Sequence, residues 1–247
     1  LLEAPQAEVV AFPNGEVRIC TGASDLMFGP PACPFGPRVV GVHVHALPNN
    51  SSGERWGNLR LSGVYHDSTF WVRSQGPWRV APNPPSPFEG PIPCPAPAGG
   101  WDTAGPTASQ RNAIGAYQRA HRGDLVSVSF FHNGSILVLA SSHPTRTRTL
   151  LGPAWPKQLC VVRARYSRPF VNRVRARVLG LMRPMSQAAR YGWVTGAGGY
   201  GVNGSGQTTI SLQVLLATPE LHAFLRRLPR GIVSVESTFQ PVRAGHA

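Results

Sequence analysis

Lysine is nearly absent from this chain: Lys157 is the sole example among 24 basic residues, so arginine carries the net charge of +13. The choice of arginine over lysine matches a sequence rich in Ala, Gly and Pro, as a GC-rich genome produces. The excess of positive over negative charge has no such origin. With 11 acidic residues in all, the surface is expected to attract anionic polymers: nucleic acid, acidic wall glycan or lipid head groups. No apolar run reaches the roughly 18 residues a spanning helix needs, so no transmembrane segment is expected.

The usual signatures of chemistry are missing as well. No C-x-x-C occurs, which argues against metal knuckles and thioredoxin-like sites. A G-x-S-x-G elbow is absent, and Gly204-Ser205-Gly206 leads into a strand where an elbow needs a helix. Gly196 to Gly206, GAGGYGVNGSG, is not followed by the Lys-Ser/Thr of a phosphate loop and joins two predicted strands. It reads as a hairpin loop with Tyr200 at its tip, where an aromatic ring is a candidate assembly contact. Asp67, Asp102 and Asp124 are isolated from one another, which does not suggest a paired-carboxylate site. His43 and His45 fall two apart on a predicted strand, facing one side, without a third ligand near in sequence. No catalytic, cofactor or metal residue is assigned, although a secreted hydrolase stands as a third reading.

What is present fits a chain of 247 residues with a packed core and many turns, since Pro 25 and Gly 27 are dispersed between apolar runs. An α+β fold is expected, with a small β-rich N-terminal domain over residues 1–80, a proline-rich linker over 81–101 and a duplicated domain over 102–247. Glu8 to Phe12 and Val17 to Cys20 read as a hairpin across Asn14-Gly15. Arg38 to Leu47 alternates as a strand, and Leu59 to Tyr65 with Thr69 to Arg73 form a second hairpin. The duplicated domain divides into halves 102–163 and 164–247, each predicted as helix, hairpin, helix, strand. The first half has a helix at Thr107 to Ala120 with Ala108, Ala113, Ala116 and Tyr117 inward, strands at Leu125 to Phe131 and Ser135 to Ala140, a helix at Pro144 to Leu151 and a strand at Leu159 to Val162. The second has a helix at Pro169 to Leu181, strands at Tyr191 to Thr195 and Thr208 to Leu216, a helix at Pro219 to Arg227 capped by Thr218, and a strand at Gly231 to Glu236.

Four cysteines allow three pairings. We pair Cys20 with Cys33, closing a Pro/Gly-rich loop, and Cys94 with Cys160, stapling the linker to the second domain; four buried free thiols are the alternative. An even, well-separated set suits an oxidised, secreted or cell-envelope protein. The start at Leu1-Leu2-Glu3-Ala4-Pro5 suits a mature chain after signal-peptide removal, or a trimmed one.

Several patches carry a resemblance. Cys20, Gly22, Pro31, Cys33, Gly36 and Gly41, the run WGNLRLSGVYHDSTFWV, CPAPAGGW at Cys94 to Trp101, LCVVRA at Leu159 to Ala164 and LHAFLRRLPRGIVSVESTFQPV at Leu221 to Val242 together resemble an actinobacterial secreted or lipid-anchored envelope protein type of unknown function. The resemblance implies an envelope or secreted location and the same cysteine pairing, and it brings no catalytic residues. Relatives of that type carry more acidic residues, so the arginine excess departs from it.

The basic stretch has the clearest physical demand behind it. Arg146 and Arg148 lie on one connection, Arg163, Arg165 and Arg168 precede a helix, and Arg173, Arg175 and Arg177 lie on it, with Tyr166 and Phe170 among them. The expected function is non-catalytic: an interaction protein, a subunit of an ordered extracellular assembly with further copies or other subunits as partners. The alternative is a basic module for nucleic acid or acidic wall polymer.

Overall fold

The structure is a computed structural model, and it describes residues 1–20, 36–48, 53–78, 90–132, 134–181 and 189–242. The architecture is mixed α+β with strands predominating. The N-terminal strands are β1 (Leu2–Ala11), β2 (Val17–Ile19), β3 (Arg38–Val40), β4 (Arg55–His66) and β5 (Thr69–Pro77). They pair in the order β1-β2-β3-β5-β4, and β1 also pairs with β4, so the sheet closes on itself as a small barrel. Closure follows from β1 being long enough to use both edges: Ala7 to Ala11 pair with Leu59 to Arg55 on one side, while Val9 to Ala11 pair with Ile19 to Val17 on the other. Inward residues include Ala4, Ala7, Val9, Ile19, Val39, Leu61 and Phe70. Both predicted hairpins form. In the second, Asp67 and Ser68 take positive φ of 47° and 59°, the turn geometry that matches strand twist.

The predicted strand from Arg38 to Leu47 ends at Val40. Gly41 turns the chain at φ 90° and a 3-10 turn occupies Val44–Ala46, so His43 and His45 do not share a strand face. Residues 21–35 lie outside the described residues, and with them Cys33 and its predicted pairing. Cys20 is disulfide-bonded.

The described residues from 90 onward build two three-stranded sheets. In the first, α1 (Ala108–Ala120) precedes β6 (Leu125–Phe131) and β7 (Ile136–Ser141), an antiparallel pair; α2 (Pro144–Leu151) then leads to β8 (Leu159–Arg163), parallel to β7. In the second, α3 (Arg168–Gly180) precedes the antiparallel pair β9 (Val194–Val202) and β10 (Thr208–Val214), and α4 (Pro219–Leu225) leads to β11 (Val233–Ser237), parallel to β10. Strand orders are β6-β7-β8 and β9-β10-β11. Local chemistry accounts for the helix starts. Thr107 and Gln110 form a reciprocal capping box, and Thr218 Oγ1 accepts from Leu221 N while donating to Arg190 O. The inward face of α1 is Ile114 and Tyr117 with Ala113 beside them. Ala108 and Ala116 are exposed, which corrects the predicted face: the larger side chains at 114 and 117 set the stripe that the sheet buries.

Alternation along the central strand β7 sends Leu137 and Leu139 toward α1 and α2, and Ile136, Val138 and Ala140 to the opposite face. That opposite face is covered by the described part of the proline-rich stretch. Ile92, Cys94 and Trp101 pack on Ile136, Val138 and Cys160, and Cys94 is bonded to Cys160 as predicted, with Cα atoms 5.7 Å apart.

The predicted loop at Gly196 to Gly206 is largely strand. β9 runs through Gly196 to Val202, so Tyr200 is paired with Ile210 in mid-strand and not at a tip. Gly201 pairs with Thr209 and Gly196 with Gln213, and a Cβ on Gly196 would meet the Gln213 side chain at 2.9 Å.

After β11 the chain returns to the barrel as β12 (Gln240–Pro241), which pairs with Leu2 and Glu3 of β1. Phe239 enters the barrel core with its ring centroid 4.5 Å from that of Phe70, and Trp193 Nε1 donates to Tyr65 Oη at 3.2 Å. The barrel and the second sheet are thus packed together. Among the described residues no helix is long and apolar enough to cross a membrane.

Candidate anionic-partner surface

The helix α3 is positioned by Val171, Val174 and Val178, which are buried against Ile210, Leu212 and Val214 of β10. Helical spacing then fixes where its arginines go. Arg173 and Arg177 lie one turn apart on the face away from the valines and are exposed. Arg168 and Arg175, two turns apart, fall on a flank. Arg163 and Arg165 are exposed on the lead-in from β8.

Aromatic rings connect part of this set. The Arg165 guanidinium lies 5.4 Å from the Tyr166 ring centre, Tyr166 and Phe170 are stacked at 5.2 Å with 27° between planes, and Arg173 lies 5.7 Å from the Phe170 ring centre. Each cation–π contact at an exposed site contributes roughly 0.5–1 kcal/mol. Tyr166 is half-buried, and its hydroxyl has no hydrogen-bond partner among the described residues.

Local electrostatics oppose this arrangement. No acidic residue occurs between Gln158 and Leu181, and no salt bridge among the described residues reaches Arg163, Arg165, Arg168, Arg173, Arg175 or Arg177. Arg168 opens the helix, where the macrodipole is positive and a cation is disfavoured by about 0.3–1 kcal/mol. Arg173 and Arg177 repel at i, i+4 by a few tenths of a kcal/mol. Arg177, in the last turn, is in contrast favoured by the macrodipole.

Two arginines predicted for the same surface are engaged elsewhere. Arg146 Nε pairs with Asp124 Oδ2 at 3.1 Å, and Arg148 donates to Val161 O at 2.9 Å. Arg175 is half-buried, its guanidinium 6.0 Å from the Tyr200 ring centre and its Nε without an acceptor among the described residues.

Sequence reasoning missed the cluster around Asp124, because Tyr117 and Asp124 lie at the end of α1 and beyond it, whereas Ser141, His143 and Thr147 lie at the β7–α2 junction. Tyr117 Oη donates to Asp124 Oδ2 at 3.0 Å and lies 2.8 Å from Thr147 Oγ1, which in turn lies 2.7 Å from Ser141 Oγ. Burial is the main reason the Tyr117 phenol is held above its usual 10.0, opposed by the Thr147 hydrogen bond and reinforced by Asp124. His143 Nδ1 lies 3.1 Å from both Asp124 Oδ1 and Ser142 Oγ. A Ser-His-Asp relay needs serine and aspartate on opposite ring nitrogens, so these three do not form one. The cluster ties α1, β7 and the start of α2 together. Neither His43 nor His45 joins a group of potential metal ligands among the described residues.

Comparison of the chain with protein-family models, with curated proteins and with solved structures finds no match.

Proposed function

We propose that this chain is a non-catalytic interaction protein of the secreted or cell-envelope space, and that it engages an anionic partner through the lead-in and outer face of α3. Arg163, Arg165, Arg173 and Arg177 supply the charge, and the Tyr166–Phe170 stack supplies a flat apolar surface between two guanidinium groups. The observation that carries this reading is a set of exposed arginines without a carboxylate partner among the described residues, two of which, Arg173 and Arg177, repel one another one turn apart. The disulfide supports an oxidising compartment. The resemblance to envelope proteins points the same way, and the repeated order of helix, hairpin, helix and parallel strand supports two copies of one unit. Assembly with further copies belongs to the same proposal: an outer face that repels itself associates once an anionic partner bridges it.

The test is retention of the native chain on immobilised heparin and on a poly-glutamate matrix, with sizing at low and high salt with and without the same polyanion. The reading expects retention that persists to about physiological salt, lost stepwise in Arg173→Gln and Arg177→Gln. Elution from both matrices below roughly 0.05 M salt, or retention unchanged in both variants, overturns it.

A further inference from the structure

Each of the two small sheets ends in an outer parallel strand, β8 in one and β11 in the other, and their free edges differ. In β8, Leu137 N donates to Gln158 O and Ala164 N to Ser141 O, so Cys160 and Val162 turn N–H and C=O toward β7 while Leu159, Val161 and Arg163 turn theirs away. That edge is capped, because Arg148 Nη2 donates to Val161 O at 2.9 Å. In β11, Ile210 N donates to Ile232 O and Thr238 N to Val214 O, so Ser234 and Glu236 face β10 while Val233, Val235 and Ser237 face outward. Val235 holds the place of Val161. Both α2 and α4 open on proline, but where Arg148 is the fifth residue of α2 the fifth of α4 is Ala223, which has no donor to reach the edge.

Among the described residues no hydrogen bond reaches the outward main-chain groups of β11, and β10 is the only strand paired with it. The strand also lacks the features that blunt an exposed edge: VSVES has no proline or basic residue, and its five pairs with β10 run without a bulge. Its one charge, Glu236, is turned onto β10, where Ser211 Oγ and Gln213 Nε2 each donate to it at 3.3 Å. Val233 and Val235 pack with Leu225 and Leu228 yet stay partly exposed.

We propose that β11 pairs with β11 of a second copy of this chain, antiparallel about a twofold axis at Val235, so that two β9-β10-β11 sheets become one. In this register Val235 bonds to its own counterpart and Val233 to Ser237, which uses every outward group, and Ser234 faces Glu236. Centring on Ser234 drops Ser237 from the ladder, and centring on Glu236 sets two carboxylates face to face. Charge selects the same occupant. Arg226, Arg227 and Arg230 precede the strand, exposed and without a carboxylate partner among the described residues, whereas the acids lie toward its other end: Glu236, then Glu3 beside Gln240. Antiparallel copies set the cationic end of one edge against the acidic end of the other. The contact goes beyond the outer face of α3, since it needs no polyanion and uses no residue of that helix.

The experiment is sedimentation of the native chain without polyanion at about physiological salt, with amide exchange at low and high concentration. One short strand pair lies at the small end of protein interfaces, so dimerisation with a dissociation constant on the order of 10–100 μM is expected. Protection of the Val235 and Ser237 amides should rise with concentration, while Ser234 and Glu236, already bonded to β10, stay unchanged. Val235→Pro removes an N–H that the β10 ladder does not use, and it should weaken association by about tenfold or more. Arg230→Glu should weaken it by about threefold or more, and Arg173→Gln and Arg177→Gln should leave it within about twofold. A monomer at several hundred micromolar, roughly ten times the expected constant, overturns the proposal. So does a dimer insensitive to Val235→Pro or Arg230→Glu, or one in which Val235 gains no protection; the exchange result on the parent decides if Val235→Pro melts early. Loss of heparin retention in the Arg173 and Arg177 variants with dimerisation intact separates this contact from the anionic-partner surface.

Discussion

Replacing Cys94 and Cys160 together by alanine isolates the contribution of the bridge that holds the proline-rich stretch to the β6–β8 sheet. Chemical reduction would not, because Cys20 is also disulfide-bonded. The bridge joins residues 66 apart. Opening a loop of that length restores unfolded-chain entropy equivalent to about 4 kcal/mol in the loop-closure model. Cys160 is buried among Ile136, Val138 and Phe131, so truncation adds a small cavity term of about 1 kcal/mol. A loss of about 5 kcal/mol lowers the melting temperature of a chain of this size by roughly 10–20 °C. The loss should also be localised. Calorimetry gives the shift, and hydrogen exchange should show early loss of protection at the Asp102 amide, which donates to Lys157 O, before the barrel amides of β1 and β4 are affected. A melting temperature within about 2 °C of the parent, or protection lost first in the barrel, would refute the reasoning.

Tyr117→Phe removes the phenol that bridges Asp124 and Thr147, at a cost of about 1–2 kcal/mol near neutral pH. The folded phenol is raised above 10.0, so its contribution is complete below that value and is lost as pH rises through the folded value; urea titrations should show parent and variant converging above pH 10.0. Gly192 has φ +83°, and a Cβ there would collide with the Leu216 carbonyl oxygen, so Gly192→Ala should cost about 2–4 kcal/mol in denaturant unfolding. Thr107→Ala breaks the capping box of α1 and should cost about 1 kcal/mol by the same measurement, with Thr107→Asn largely restoring it.

Much of the second region was legible because its signals are local. Pro144 opens α2 and Thr218 caps α4, while Leu125 to Phe131 and Thr208 to Val214 are dense enough in apolar or β-branched residues to be read as strands. The misread parts depend on partners distant in sequence. Gly196 to Val202 is dominated by glycine, has little strand propensity of its own despite Tyr200 and Val202, and is extended because β10 lies beside it. Val42 to Leu47 alternates like a strand, yet Gly41 turns it out of the sheet, where Gln75 Oε1 accepts from His43 N. The return of Gln240–Pro241 to Leu2 and Glu3 joins the two ends of the described chain, which no local pattern announces.

The candidate surface was legible as a run of arginines but not as a geometry. Sequence grouped Arg146 with Arg173, while folding gave Arg146 to Asp124, a residue 22 positions earlier. It also placed Tyr200 at a loop tip, whereas the ring stands beside Arg175 in a groove wall, which changes the contact it can make.

The most direct measurement compares two charge reversals of equal size. One variant carries Arg165→Glu, Arg173→Glu and Arg177→Glu; the other carries Arg226→Glu, Arg227→Glu and Arg230→Glu, which are exposed at and after the end of α4. Both change the net charge identically, and heparin binding is followed as a function of salt. The account predicts that the α3 variant loses most of its affinity, with a salt dependence shallower by about two counterions, while the control stays close to the parent. Equal losses in both would mean that net charge alone attracts the polyanion, and would contradict a partner surface on α3.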